Sequence, residues 1–354
     1  MSLKKPKVIF ITPTLGKGGA EKNIKFLVEN LNKDYDIILI IQGSSDYKCS
    51  SAKVFILNKK RFIFSVIKIL GLIKKENPDI IFSSSFHVNL FLGAFKFFRS
   101  KTTTIARETN IPSQRFKYSK TIVPLFLKKY FLLKNDIIIC QSNDMFEDFI
   151  KYYSVDKNNN SLHIINNPII RKSNNFNQNK LLDNNLISIG SLTPKKGYER
   201  VFNNLKGLNL DYKYNIIGTG NQLNHLKKLV YDLELDNKIS FLGIKNDVYP
   251  LLIKSKLFIL GSYIEGFPNV ILESLSVGIP CIVFKDSLGG HKEIIIDGFN
   301  GYICSDKMDF QNKILLSLKR KWDCSSIISD VYERFNKDKI LNQYKKIIND
   351  KLIH

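Results

Sequence analysis

The stretch "YIEGFPNVILESLSVGIP", residues 263–280, sets two carboxylates, Glu265 and Glu273, around seven residues that carry no charge. A carboxylate does not bind phosphate; it accepts paired hydrogen bonds from hydroxyls, and the vicinal diol of a ribose or sugar ring offers two. Gly266 and Pro268 break regular structure, and proline suits the first turn of a helix. Val270, Ile271, Ser274 and Leu275 then recur at helical spacing. Glu265 therefore falls on a loop, and Glu273 about one turn into a helix. The first amides of that helix, at Asn269 and Val270, lack intrahelical partners and suit a phosphate. Diol ligands on either side of a phosphate-binding helix start describe a site for a sugar nucleotide.

Three more stretches supply matching parts. "GSLTPKKGYER", residues 190–200, follows a strand and offers Lys195 and Lys196 to a diphosphate. "IGTGNQLNHLKKL" is a glycine loop opening a helix, and "DSLGGHKEIIIDGFNGYI" adds Gly289, Gly290 and Glu293 before another strand.

The elements that must position these residues read as strand–helix units. "KVIFITPTLGKGGAEKNIKFLVENL" passes from an apolar run through a glycine loop into Ile24, Leu27, Val28 and Leu31 at helical spacing. Further short strands are expected at "YDIILII" and at residues 54–57, 79–83, 103–106 and 136–140. "RKSNNFNQNKLLDNN" is polar, Asn-rich and aperiodic, hence a linker. Alternation restarts with "LISIGSL", "YNIIGTG", "ISFLG", "LFILGS" and "PCIVF", and residues 337–352 read as an amphipathic helix. The expected fold class is α/β, with two doubly wound Rossmann-like domains facing across a cleft. Residues 1–170 would form a basic, membrane-facing acceptor domain, 171–185 the linker, and 186–325 a donor domain. C-terminal helices over 326–354 are expected to pack back towards the first domain.

Together these stretches resemble the GT-B glycosyltransferases, specifically the large retaining family 4. The likeness rests on the Glu-x7-Glu pair (Glu265, Glu273), the G-x-L-x-x-x-K-G loop from Gly190 to Gly197, and the GG-E element (Gly289, Gly290, Glu293). It rests also on "GGAEK" from Gly18 to Lys22, and covers nearly the whole chain; "QSNDMFEDFI" and "IINNP" fit as well. The resemblance implies that Glu265 contacts the donor sugar near the reacting carbon, Glu273 the ribose, and Lys196 the diphosphate. Phe267, Asn269 and Val270 join that donor set, and Gly19 lets the first domain's backbone approach the donor phosphates or the acceptor. It implies no cofactor beyond the nucleotide-sugar donor and no metal, and no Asp-x-Asp or His cluster reads as one that would bind a metal.

Two positions depart from the family pattern. Ser191 stands where many members have an arginine paired with the lysine, so Lys195 would have to substitute. "TIARETNIPS" carries Glu108 where many members have a histidine. That form resembles transferases acting on undecaprenyl diphosphate, and Glu108 is then a base or an acceptor ligand. The competing reading pairs Arg107 with Glu108 across the loop. Gly18, His87 and Arg107 are the acceptor-side candidates, with a packed loop role the alternative for His87. His225 and His291 read as surface residues, His291 being a weaker donor-site candidate.

The formal charge of +22 on 354 residues is unevenly spread. Residues 1–135 hold 25 Lys and Arg against 8 Asp and Glu, a balance of +17. Residues 59–75, "KKRFIFSVIKILGLIKK", and 115–135, "RFKYSKTIVPLFLKKYFLLKN", mix cations with apolar side chains and suit a membrane interface. Packed helices with a basic outer face are the alternative. No stretch reaches the ~18 apolar residues of a membrane span, and no signal peptide is expected, because the basic start runs directly into a strand. Cys49, Cys140, Cys281, Cys304 and Cys324 lack metal-pair spacing and read as reduced thiols. The expected place is cytoplasmic, peripheral on the inner face of the membrane. The expected partners are a nucleotide sugar, a polyprenyl-diphosphate-linked saccharide and anionic inner-leaflet lipid. Recognition-helix, zinc and RNP-type motifs are absent, so no specific nucleic-acid role is expected. The competing enzyme readings are a GT-B sugar-nucleotide epimerase or a phosphorylase.

Overall fold

Short runs of β-branched and aromatic residues, apolar on both sides, form strands that a parallel sheet buries on both faces. The computed structural model describes residues 5–16, 18–97, 101–115, 124–170 and 184–352. The chain divides into two units, Met1–Pro168 with Lys337–His354, and Ile169–Asn336.

Unit 1 runs β1 (Lys7–Thr12), α1 (Gly19–Leu31), β2 (Asp36–Ile41), β3 (Lys53–Ile56), α2 (Val66–Glu76), β4 (Ile80–Ser83), α3 (Phe86–Phe95), β5 (Thr103–Arg107), α4 (Leu125–Leu133), β6 (Ile137–Cys140), α5 (Asn143–Tyr153) and β7 (Leu162–Ile164). Its strands pair in parallel in the order β3-β2-β1-β4-β5-β6-β7. Alternate residues of β1 face opposite layers. Val8 and Phe10 meet Ile24 and Leu27 of α1, whereas Ile9 and Ile11 meet Ile69 and Ile73 of α2 and Val88 and Leu92 of α3.

Unit 2 runs β8 (Asn185–Ile189), α6 (Tyr198–Leu205), β9 (Lys213–Ile217), α7 (Leu223–Asp232), β10 (Ile239–Phe241), α8 (Tyr249–Leu252), β11 (Leu257–Ile259), α9 (Asn269–Leu275), β12 (Cys281–Phe284), α10 (His291–Ile294), β13 (Gly301–Cys304), α11 (Lys307–Lys319) and α12 (Cys324–Arg334). The sheet order is β10-β9-β8-β11-β12-β13. In each unit the order reverses beside its first strand, at β1/β4 and at β8/β11. Carboxyl-end loops diverge at such a point and leave room for a ligand.

α13 (Lys337–Leu352) belongs to unit 1, where Ile340, Tyr344 and Ile348 join the core beneath α1. The expected boundary at 325/326 therefore needs correction: it cuts through α12, which stays with unit 2. Of the two helices α12 and α13, α13 alone lies in the first unit. Most of the expected linker, residues 171–183, lies outside the described residues, and its last residue, Asn185, already starts β8. Among the described residues no helix is long and apolar enough to cross a membrane.

Candidate active site

In unit 2 the chemistry-bearing loops lie against one another backbone to backbone. After β8, a 3-10 turn (Pro194–Lys196) ends at Gly197, whose φ of +60° favours glycine. A Cβ on Gly197 would meet the Gly261 carbonyl oxygen at 2.0 Å, so the loop after β11 reaches its place only over a glycine. Gly289, at φ +123°, supports the same loop from the other side. Its Cβ would stand 1.9 Å from the Glu265 carbonyl oxygen, and the Glu265 amide donates to Leu288 O at 2.9 Å.

Held between these glycines, Glu265 is half-buried. Its Oε1 accepts from Lys196 Nζ at 2.5 Å and from Ser262 Oγ at 2.6 Å. Burial pushes its pKa up, but the Lys196 charge, its hydrogen bond and that of Ser262 outweigh burial and hold the carboxyl below its ordinary range. The pair expected to serve a sugar and a diphosphate is thus together, each group engaging the other. Lys195, also half-buried, carries the carbonyl that accepts from the Tyr263 amide at 2.9 Å, and Ser191 is exposed.

Sequence reasoning missed Arg200, the last residue of the "GSLTPKKGYER" stretch. Its Nε donates to Gly261 O at 2.6 Å, while Nη2 donates to Ser262 O and to Ser287 Oγ, each at 2.6 Å. Nη1 reaches Asp286 at 2.9 Å, and the guanidinium lies 4.2 Å from the Tyr263 ring and 4.0 Å from that of Phe284. This fork ties the carbonyls just ahead of Glu265 to the β12 loop. Its position three residues after the lysine–glycine pair was the available signal. Glu273 sits half-buried in α9, and Asn269 and Val270 open that helix, partly buried.

Two donor-side expectations need correction. Phe267 is buried, with its ring 5.4 Å from that of Phe335 and against Gly290, where a Cβ would meet Phe267 Cδ2 at 2.3 Å. It is a packing residue of the α9–α12 core. His291 is buried rather than at the surface, its Nε2 lying 3.2 Å from Phe284 O. His225 is exposed and pairs with Glu199 at 2.9 Å.

In unit 1, Gly18 and Gly19 are exposed where α1 begins. The Gly18 amide donates to Glu21 Oε2 at 2.9 Å, and Thr14 Oγ1 donates to Glu21 Oε1. Glu21, within "GGAEK", is thus the residue that closes the glycine loop. His87 is exposed on the first turn of α3, its ring 5.2 Å from that of Phe62 and its Nδ1 3.3 Å from Ser85 Oγ. Apolar surroundings lower its pKa.

Glu108 and Arg107 are not as expected. Glu108 is 1% exposed; Oε1 accepts from Asn89 Nδ2 at 3.1 Å and Oε2 from Arg115 Nη2. Arg115 is itself stacked 3.9 Å over the Phe86 ring, and burial lowers its pKa to about 10. Glu108 is thus a buried partner of Arg115 and Asn89 rather than an exposed carboxylate on the loop. Arg107 does not pair with it. Fully buried, it donates through Nε to Tyr344 Oη at 2.8 Å and through Nη2 to Asn167 Oδ1, joining β5 to α13. It is not an acceptor contact. Among the described residues no group of three His, Cys, Asp or Glu has metal-binding geometry.

Residues 167–334 match the family described as glycosyl transferases group 1. An N-acetylgalactosamine-N,N'-diacetylbacillosaminyl-diphospho-undecaprenol 4-alpha-N-acetylgalactosaminyltransferase of Campylobacter jejuni is 25% identical over 325 residues, 86% of this chain and 87% of that protein. A second N-acetylgalactosaminyltransferase of that organism, whose acceptor is a diNAcBac-PP-undecaprenol saccharide, is 25% identical over 97% of this chain and 98% of its own length. Among solved structures, the lipopolysaccharide outer core galactosyltransferase WaaB superposes with a TM-score of 0.78 at 18% identity, covering 98% of this chain and 99% of that one. Anabaena HepE, solved with UDP-glucose, has the same TM-score of 0.78 at 18% identity over 97% of this chain and 99% of its own.

Proposed function

We propose that the chain, whose fold is GT-B, is a glycosyltransferase, as its family match and relatives support, and that it moves a hexose or N-acetylhexosamine from a UDP-linked sugar to a saccharide on a polyprenyl diphosphate, in assembling a surface polysaccharide. The acceptor class is supported by the undecaprenyl-diphosphate acceptors of the two Campylobacter transferases. The observation that carries the donor site is the Lys196–Glu265 pair, 2.5 Å apart on loops braced by glycines and Arg200. These relatives favour a transferase over an epimerase or phosphorylase.

In this reading Glu273 holds the ribose hydroxyls, Lys196 and Lys195 the diphosphate, and Glu265 the donor sugar's hydroxyls. The bond from the anomeric carbon to the diphosphate breaks, and the acceptor oxygen bonds to that carbon on the same face. The acceptor's proton passes to the departing phosphate oxygen, so configuration is retained. The lysines meet the charge that develops on the leaving group, and no metal is required. The chain would work at the inner face of the membrane, where its acceptor lies.

Saturation-transfer NMR against a panel of nucleotides and nucleotide sugars tests the reading. Wild type should bind one nucleotide class. Glu273→Ala should weaken that binding by about 10- to 100-fold, the worth of hydrogen bonds to a charged group. Equal binding by the variant would remove Glu273 from the site.

A further inference from the structure

The loop after β11 holds an aromatic side chain out in solvent. Tyr263 is 39% exposed, although its backbone is pinned on both sides: its amide donates to Lys195 O and its carbonyl accepts from the Leu288 amide, each at 2.9 Å. Against the ring stands Arg200, whose guanidinium carbon lies 4.2 Å from the ring centre. The Arg200 side chain is only 11% exposed, and hydrogen bonds to Gly261 O, Ser262 O, Ser287 Oγ and Asp286 Oδ1 fix it in place. Buried Phe284 lies 4.0 Å from the same guanidinium, so the space behind Tyr263 is filled. The ring is braced and cannot fold into the core. A tyrosine held in this way offers a large, rigid contact area with little entropy left to lose.

The same guanidinium carries a second feature. Asp286 Oδ1 accepts from Arg200 Nη1 at 2.9 Å, yet the Asp286 side chain stays 64% exposed. An ionised carboxylate has about four lone-pair sites, so Asp286 keeps capacity to accept from a ligand. An aromatic face and a carboxylate on one support suit a pyranose, which has an apolar C–H face and hydroxyls at its edge. A diphosphate would be repelled by Asp286, and a hydrocarbon would leave it without a partner. The place is beside the donor site. Tyr263 precedes Glu265 by two residues, a span of about 7 Å at most, and Leu288, which holds the Tyr263 carbonyl, adjoins Gly289.

We propose that Tyr263 and Asp286 form a saccharide subsite on unit 2, in which the Tyr263 ring stacks on the apolar face of an acceptor pyranose and Asp286 accepts from its hydroxyls. Arg200 positions both. In the proposed function Glu265 serves the donor sugar and the lysines its diphosphate, so a second sugar-binding pair this close fits the other reactant. The assignment deepens that function by naming residues that select the acceptor's sugar, and it rests on that reading for the donor beside it.

Saturation-transfer NMR of the full chain tests this with UDP present and the methyl α-glycosides of galactose, glucose and N-acetylgalactosamine as probes. At least one glycoside should bind, with more saturation on its ring C–H protons than on its methyl group. Tyr263→Ala should weaken that binding by about tenfold, and Tyr263→Phe should keep it within about twofold, because the stacking face survives without the hydroxyl. Asp286→Ala should weaken it by about fivefold, the worth of one hydrogen bond. UDP affinity, measured on the same samples, should be unchanged in all three variants. Glycoside binding unmoved by Tyr263→Ala overturns the subsite and leaves the donor site standing, as does failure of every glycoside to bind the UDP-loaded wild type. A loss of UDP affinity in Tyr263→Ala would put the nucleobase on the ring and overturn the subsite. Absence of UDP binding by wild type would overturn the donor reading and the subsite with it.

Discussion

Lys196 and Glu265 are half-buried and 2.5 Å apart, so each satisfies the other before any donor arrives. In the proposed reading a donor diphosphate draws on the same ammonium, and that competition has a sign. Glu265→Gln removes the charge that engages Lys196 while keeping a side chain that Ser262 can hold. Nucleotide affinity should therefore stay equal or rise by up to about tenfold, the equivalent of about 1.4 kcal/mol, while transfer falls by about 100-fold or more. Calorimetry with UDP alongside a turnover assay checks both halves, and weaker UDP binding would mean that the pair does not compete with the donor. Because the folded carboxyl is held below its ordinary value of 4.5, the pair's contribution is complete above that value and is lost only as pH falls through the lowered one. Carbon-13 NMR of the Glu265 carboxyl should give a midpoint under 4.5; a midpoint above it would contradict the ion pair. Arg200 acts one step behind Glu265, through the Gly261 and Ser262 carbonyls. Arg200→Lys keeps the charge but loses the fork. It should lower kcat by about tenfold or more with little change in KM for the donor, whereas a purely structural role would lower the melting temperature and leave the kinetics of the folded fraction alone.

The loops that carry these residues are specified by their glycines more than by their charges. Gly197, Gly261 and Gly289 each stand where a Cβ would strike backbone or a packed side chain of a neighbouring loop, and two of them have positive φ. Gly289→Ala meets the Glu265 carbonyl at 1.9 Å and a strained φ together, so the 263–267 segment must move. Overpacking of this kind costs about 1–3 kcal/mol. The prediction is near-complete loss of transfer with a melting temperature only a few degrees lower. Unchanged turnover would mean that this glycine does not position Glu265. These elements were legible in the sequence because buried parallel strands are written as apolar runs, "VIFIT" and "IILII" among them, and the turns after them as glycine clusters. The side-chain partners were not. "GSLTPKKGYER" shows that an arginine follows the loop, but only the fold reveals that Arg200 reaches past it to Ser287. "TIARETNIPS" brings Arg107 and Glu108 together in sequence, yet Arg107 is the last residue of β5 and Glu108 the first beyond it. One turns to Tyr344 and the other to Arg115.

At the scale of the whole chain, unit 1 is not finished until the last helix has been made. The chain leaves unit 1 after Pro168, builds unit 2, and returns at Lys337. Amphipathic periodicity announces a helix over 337–352, but α12 has an apolar face of the same kind, and period alone does not tell which of the two goes back. The answer lies in what α13 meets. Ile340, Leu341, Tyr344 and Ile348 are 8% exposed or less, Tyr35 Oη donates to Asn349 Oδ1 at 2.7 Å, and Lys345 pairs with Asp34 at 2.6 Å. Four buried side chains of this size contribute on the order of 6–12 kcal/mol, comparable with the ~5–15 kcal/mol net stability of a domain. Ending the chain at Asn336 should therefore unfold unit 1 and leave unit 2 able to bind nucleotide. Limited proteolysis of the truncated chain should cut throughout unit 1 and spare unit 2, with the UDP signal in NMR retained. A milder lesion tests the same joint without removing the helix. Arg107→Met leaves Tyr344 Oη and Asn167 Oδ1 without that buried donor, at about 1–3 kcal/mol for each unsatisfied group. It should lower the stability of unit 1 alone, and cleavage first near the α13 junction would show where unit 1 opens. If the truncated chain resisted protease as the intact chain does, α13 would be a passenger on unit 1 rather than part of its core.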